Sequence, residues 1–338
     1  MAGGSGVATE LLARSLKIAP QPPMITRVPI AVRSARLRGV QAPERTPERE
    51  EDFQALLAQV KELQPLPAVA VRLIAMSEDS RFSAQDLADT VRVDQALTLN
   101  VLRLSNSSFF GLPRRITSIR EAIVLLGFRE VRALALSACV LDPLVRDALD
   151  QAGIDYDVFW LNSMVVGHLA QALAIVENVD QDQGFTAGLV HNIGRLALAQ
   201  HRPEQLKAAT LEARASRTTI HEAQTRLLGY SDAELGAAIA NAWAFPVPLI
   251  ESIENHMRPL SDIPDRRGLD SIVIRARRFA RSHGVSDGLE LITTRPVPDI
   301  EWRSPDAERA LRKLGGVDGI LQRARGYLDS RTDDEDAA

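Results

Sequence analysis

The sequence predicts an all-α protein, a helical bundle in two lobes with five to six helices in the first. Three observations lead there. Between about residues 51 and 330, apolar residues recur at spacings of three and four. Ser, Thr or Asp precedes several of these stripes, where a helix needs a cap. No stretch alternates β-branched residues between turn signals, as a half-buried strand would.

Taken in order, residues 1–50 carry scattered prolines and no sustained apolar period, and read as a flexible leader. Leu56, Leu57, Val60 and Leu63 form the first stripe, and Pro67 opens a second helix around Val71, Leu73, Ile74 and Met76. Ser83 with Asp86 makes a capping-box variant before Leu87 and Val91. Asp94 caps a helix carrying Leu97, Val101, Leu102 and Leu104, and Asn106 to Gly111 interrupts the pattern. Ser118 caps the next helix, which stops at Gly127, and another runs from about Glu130 to Leu141 before Pro143.

Residues 144–154 read as the joint, dividing the chain into lobes at 51–150 and 151–330. The second lobe opens with a long helix over residues 155–176. Helices follow over 183–200, 204–215, 219–228, 233–243, 246–256 and 271–283, with short ones over 304–314 and 317–328. Residues 331–338 form an acidic, frayed tail.

The 338 residues are 45% hydrophobic and carry a net charge of −4, so no global basic field attracts nucleic acid. The single cysteine, Cys139, excludes an internal disulfide framework and reads as an inert thiol in an apolar segment. No apolar run approaches the ~20 residues of a membrane helix, and the N-terminus lacks the apolar centre of a secretory signal. A cytoplasmic protein without membrane insertion is expected.

The pair His191-Asn192, in the stretch TAGLVHNIGRLAL, carries the most chemistry. It reads as the middle of a helix. A hydrolytic metal centre on that helix would want Asp after the histidine, because a carboxylate bridges two cations and an amide does not.

Several segments together carry a family resemblance. They are Pro65-Leu66-Pro67, SAQDLADTVRVD from Ser83, LRLSNSSFFG from Leu102, ITSIREAIVLLGF from Ile116, TAGLVHNIGRL from Thr186 and GYSDAELGAAIANAWAFP from Gly229. In this order the chain resembles the HDOD domain, a bacterial module related to the HD metal-dependent phosphohydrolases, from Leu63 to about His283. The resemblance implies that the second lobe is a degenerate HD-like helical lobe. It places the family's metal-ligand positions on Asn162, His191, Asn192, Asp232, His256 and Arg277. Only His191 and His256 keep the expected chemistry. Asp232 retains a carboxylate, the two amides compete poorly for a dication against water, and Arg277 would repel one. A catalytic metal wants at least three protein ligands and an open position, so neither metal nor other cofactor is expected.

Each of these residues also has a plain structural reading. His191 can be a core histidine bonded to Asn162, Asp232 or a backbone carbonyl. His168 lies six residues beyond Asn162, about 240° around the helix, and does not face the same way. His221 sits near a helix start and reads as solvent-facing or capping. Phe109 and Phe110 either meet a partner or fold back onto the joint, and Arg114 and Arg115 make a small basic patch beside them. Arg275, Arg277, Arg278 and Arg281 form a basic run whose default is a solvated helix face.

The expected function is a non-catalytic bacterial signal-transduction module. It acts through a signalling protein partner or a small ligand, possible nucleotides included, with Phe109, Phe110, Arg114 and Arg115 as the candidate surface. The first fifty residues are too short and polar for a receiver domain, so input comes in trans or from the leader. The alternative is a metal-dependent phosphodiesterase or nucleotidase with a reduced site at His191, Asp232 and His256. RNA binding through Arg275 to Arg281 is a third reading, disfavoured by the net charge.

Overall fold

The computed structural model describes residues 46–63, 68–76, 82–93, 95–106, 110, 112, 115–140, 144–289, 302 and 304–335. Among these residues there is no strand, and helices account for nearly all regular structure. The all-α expectation holds.

The first helices form where the apolar stripes and caps put them. Helix α1 is Pro47–Leu63, so the last residues assigned to the leader are already helical; Phe53, Leu56, Leu57 and Val60 are buried. Helix α2 is Ala68–Ala75. Helix α3, Ala84–Arg92, starts at the predicted capping box: the Ser83 hydroxyl accepts from Asp86 N–H, and the Asp86 carboxylate accepts from Ser83 N–H. Helix α4 is Gln95–Ser105; its proposed cap, Asp94, lies outside the described residues. Helix α5, Ile119–Leu126, is capped by Ser118, and Gly127 ends it at φ 94° before α6, Phe128–Val140. At φ 94° a side chain would be strained, which explains a glycine there.

The interval read as an interlobe joint is instead a helix, α7, Leu144–Gln151. It packs on later helices rather than bridging solvent. Pro143, taken as the preceding break, lies outside the described residues.

Helix α8, Tyr156–Glu177, is the axis of the fold. Asp155 caps its start and Asn178, in the left-handed region, ends it. It packs against α7, α9 (Gln181–Val190), α15 (Leu269–Ser282), α16 (Pro305–Lys313) and α17 (Gly316–Glu335). This helix corrects one sequence expectation: by length and composition it is apolar enough to cross a membrane. Apolar residues all round a helix also suit a core position enclosed on every side, and most of α8 is buried. Helix α17 runs to Glu335, into the segment read as an acidic tail.

The remaining helices are α10 (Ile193–His201), α11 (Pro203–Ser216), α12 (Ile220–Leu228), α13 (Asp232–Ala242) and α14 (Val247–Asn255). Helix α10 packs on α7, α11 and α13, and α14 bridges α13 to α15. Helices α9, α10, α13, α14 and α15 therefore surround one buried region.

Helix α6 is tied to α2 and α9 by a buried cation. Arg132, 1% exposed, donates to the carbonyls of Leu73 (3.2 Å) and Asp182 (3.4 Å) and pairs with the Asp182 carboxylate at 3.8 Å. Burial pushes the Arg132 pKa down, with Asp182 opposing, and pushes Asp182 up, with Arg132 and Arg129 opposing. The contact is therefore held by hydrogen bonds as well as charge.

Candidate functional site: a buried histidine–arginine–aspartate centre

The predicted single helix over 183–200 breaks at its most informative residues. His191 ends α9, and Asn192, at φ −96° and ψ 16°, begins α10. Two close approaches fix this bend. Gly188 packs on the backbone of Val166 and Gly167 in α8, where a Cβ would stand 2.6 Å from the Val166 carbonyl oxygen. A Cβ on Gly194 would fall on the Asp232 carbonyl oxygen, so α10 and α13 touch backbone to backbone. This brings residues 191–195 against the start of α13.

That start is itself well specified. Gly229 ends α12 in the left-handed region, and Ser231 with Glu234 forms a capping box for α13. The Gln224 side-chain oxygen accepts the Asp232 N–H at 2.9 Å. Asp232 is thereby held with its carboxylate in the interior, 2% exposed.

His191 and His256 meet edge to face, ring centroids 5.2 Å apart, each 1% exposed. The Nδ1 of His191 lies 2.6 Å from the Gly188 carbonyl, and that of His256 lies 2.6 Å from the Ile253 carbonyl. A carbonyl only accepts, so each Nδ1 carries the hydrogen and each Nε2 presents a lone pair. Neither Nε2 has a hydrogen-bond partner. Of the partners proposed for His191, the backbone carbonyl is the one realised. Burial drives both histidines well below their ordinary pKa, and nearby Arg277 and Arg195 push the same way. Both rings are neutral.

The Asp232 carboxylate is paired with a guanidinium. Arg195 Nε donates to Asp232 Oδ2 at 2.8 Å, and Arg195 Nη1 donates to Asp287 Oδ2 at 3.2 Å. Arg195 is fully buried. Burial opposes its charge, but the two carboxylates outweigh burial and raise its pKa above the ordinary value. Burial likewise opposes the Asp287 charge, yet Arg195 and Arg277 hold that carboxyl down to about 2. Asp287 is fixed by a turn after α15 in which its Oδ1 accepts the Leu289 N–H at 3.1 Å.

Arg277 joins this network. Its Nη1 donates to the His256 carbonyl at 2.6 Å, and its Nη2 lies 3.6 Å from Asp287 Oδ2. Burial lowers its pKa to about 10, with Asp287 opposing. The basic run on α15 is therefore not a solvated face. Arg275 pairs with Glu177 at 2.6 Å and Arg277 turns inward, while Arg278 is exposed.

The structure thus gathers His191, Asp232, His256 and Arg277. Asn162 and Asn192 are also buried, with the Asn162 Oδ1 and both Asn192 side-chain atoms lacking partners. Sequence reasoning missed Arg195 and Asp287. Arg195 left a usable signal, a lone charge inside the apolar run IGRLALA. Asp287 left none, since an acid in a turn is ordinary.

His168 is buried. Its Nδ1 is 3.3 Å from Gln171 Oε1, and burial pulls its pKa to about 3. Phe110 packs half-buried against the core and Arg115 is exposed. Phe109 and Arg114 lie outside the described residues. Cys139 is half-buried against the same core.

An HD-type metal does not fit these residues. Among the described residues no three His, Cys, Asp or Glu side chains form a metal-holding group. The carboxylates that could take part are already bonded to Arg195, and cations flank both imidazoles.

The HDOD domain family matches residues 63–259. A protein of Treponema pallidum (strain Nichols), itself uncharacterized, is 28% identical over 203 residues, 58% of this chain; the chain spans only 38% of that relative's length. Among solved structures, an HDOD domain protein of Geobacter sulfurreducens matches with a TM-score of 0.62 at 23% identity, over 84% of this chain and 96% of the other. A Marinobacter aquaeolei VT8 protein named as a candidate for signal transduction gives 0.64 at 23% identity, over 83% and 66%. A Shewanella amazonensis SB2B protein named as a candidate phosphohydrolase gives 0.57 at 24% identity, over 82% and 97%. At these identities the structural matches establish the shared fold.

Proposed function

The chain belongs to the HDOD domain family, and from that premise we propose that it is a non-catalytic regulatory module of bacterial signal transduction. It works by binding a protein partner or a small ligand, inside the cytoplasm. The observation that carries this reading is the donor set at the buried centre. Two neutral imidazoles, two amides and a carboxylate committed to a guanidinium give a dication too few ligands. Without a bound cation there is no metal-activated water.

The exposed basic residue Arg115 is the part of the candidate surface best suited to a partner. Nucleic acid is a poor candidate, because the α15 arginines that would bind it include two spent on internal ion pairs.

The alternative, a phosphodiesterase or nucleotidase with a reduced site, draws support from the two unpartnered Nε2 atoms of His191 and His256. It would need a dication to sit beside Arg195 and Arg277, with the unpartnered Oδ1 of Asp232 as its one carboxylate ligand. The discriminating experiment assays purified protein on a generic phosphodiester, on cyclic dinucleotides and on nucleotides, with Mg, Mn, Fe and Zn supplied in turn. The regulatory reading expects no turnover in any condition, together with loss of the signalling output in cells carrying Arg115→Glu. Metal-dependent turnover that disappears in His191→Ala would replace it with the enzymatic one.

A further inference from the structure

We propose that Arg195, assisted by Arg277, is a tethered replacement for a divalent cation: the centre is built around a charge that the chain itself supplies. The geometry has the form of a cation site. Two buried carboxylates from distant segments, Asp232 and Asp287, converge on one buried guanidinium at 2.8 and 3.2 Å. Two imidazoles lie in the same cluster with Nδ1 locked onto backbone carbonyls and Nε2 lone pairs left over. Such locking normally fixes the tautomer of a metal ligand. Here the positive charge close to both rings comes from Arg195 and Arg277.

The charge count agrees. Asp232 and Asp287 bring two negative charges, and the two guanidinium groups beside them, Arg195 and Arg277, bring two positive ones, the charge of one divalent ion distributed over two side chains; Arg281 adds further positive charge toward Asp287. A metal added to this set would leave two cationic charges unmatched in the interior, a prohibitive cost. The shape follows from α10. Gly194 lets its backbone touch that of Asp232, so the guanidinium of the next residue is delivered beside that carboxylate. Arginine suits the role because its planar fork serves two carboxylates at once and does not lose its proton. It also explains why burial of an Arg inside an otherwise apolar helix is tolerated.

The consequence is an HD-like centre that is permanently closed to metal, rather than one that has merely lost affinity. This goes beyond the regulatory reading: a wild-type protein that binds metal but turns nothing over would overturn the replacement and leave regulation standing.

The test compares wild-type protein, Arg195→Ala and Arg195→Lys by metal content after dialysis and by melting temperature. Each is measured with Mn2+, Zn2+ or low-millimolar guanidinium ion, against sodium at equal ionic strength. Wild type and Arg195→Lys are expected to hold no metal and to show no specific shift. Arg195→Ala should melt lower by on the order of 10 °C and regain part of that loss with guanidinium or a divalent cation. If Arg195→Ala does not fold alone, it is refolded from denaturant with and without each cation, and folding only in the presence of a cation is the supporting result. Stoichiometric metal in the wild type overturns the proposal. So does an alanine variant as stable as wild type, or one that recovers with neither cation.

Discussion

The Nε of Arg195 donates to Oδ2 of Asp232 at 2.8 Å, with both side chains excluded from solvent. The bond joins the first turns of α10 and α13, the two helices that also touch at Gly194. A buried pair of this kind is costly to break from one side, because the survivor stays charged in a medium that solvates it poorly.

Removing one partner alone should therefore cost more than removing both, and Arg195, which serves Asp287 as well, is the costlier of the two to lose. Asp232→Leu is expected to destabilise the fold by about 3–5 kcal/mol. Arg195→Leu with Asp232→Leu should be less unstable than the sum of the two single changes, with a residual loss because Asp287 then keeps Arg277 but not Arg195. Urea melts of the single and double variants form the cycle; a double variant as unstable as the sum of its parts would show that the two residues act independently.

Stability should fall as the solution is acidified below neutral. His168, His191 and His256 all have folded pKa values depressed chiefly by burial, His168 to about 3. Above the unfolded value of about 6.5 both states are neutral and the three make no pH-dependent contribution. Below it the unfolded chain takes up protons that the folded chain refuses, so each histidine removes about 1.4 kcal/mol per pH unit until its folded pKa is reached. The carboxyl of Asp287, held near 2 by Arg195 and Arg277, adds a further loss from its unfolded value down toward that pH. Thermal melts should be flat from pH 8 to 7 and decline steadily below, with a shallower decline for His168→Gln. A constant melting temperature from pH 7 to 5 would contradict the burial of these rings.

Gly194→Ala should be among the most damaging small substitutions in the chain. Its Cβ would land on the backbone of Asp232 and Gly236. Backbone cannot rotate out of the way as a side chain can, so the cost is expected at or above the upper end of the 1–3 kcal/mol typical of overpacking, about 3 kcal/mol or more. Ala at Gly127, where nothing lies near the new Cβ, tests the contrasting case: only its φ of 94° is strained, and about 1–2 kcal/mol is expected. Chemical denaturation of both variants measures the difference.

Arg132→Met should loosen the contact of α6 with α2 and α9. The variant leaves Asp182 with Arg129 as its cation and takes the donor away from the buried carbonyls of Leu73 and Asp182. A loss of about 2–4 kcal/mol is expected, with faster amide exchange in α2 and α9 than in α13. Uniformly faster exchange throughout the chain would instead indicate that Arg132 supports the whole fold equally.

The helices were legible because their causes are local. Ser83, Ser118, Asp155 and Ser304 cap as residues of their type do, and α8 could be read from its N-cap to its end within two residues. The break at His191-Asn192 was not legible, because an unbroken apolar period runs through it. The bend is imposed by close packing at Gly188 and Gly194, which periodicity does not encode. The apolar composition of α8 pointed to no partner by itself; the helices around it supply one on every side.

By itself the sequence determined the helical class, the caps at Ser83 and Ser118 and the HDOD membership. Only the tertiary structure decided which charges neutralise each other at the centre. Arg195 and Asp287 are 92 positions apart in the chain, and helix formation depends on neighbours a few residues away. The pairing of buried charges depends on which segments converge, and on a low-dielectric interior that permits no charge there to remain alone.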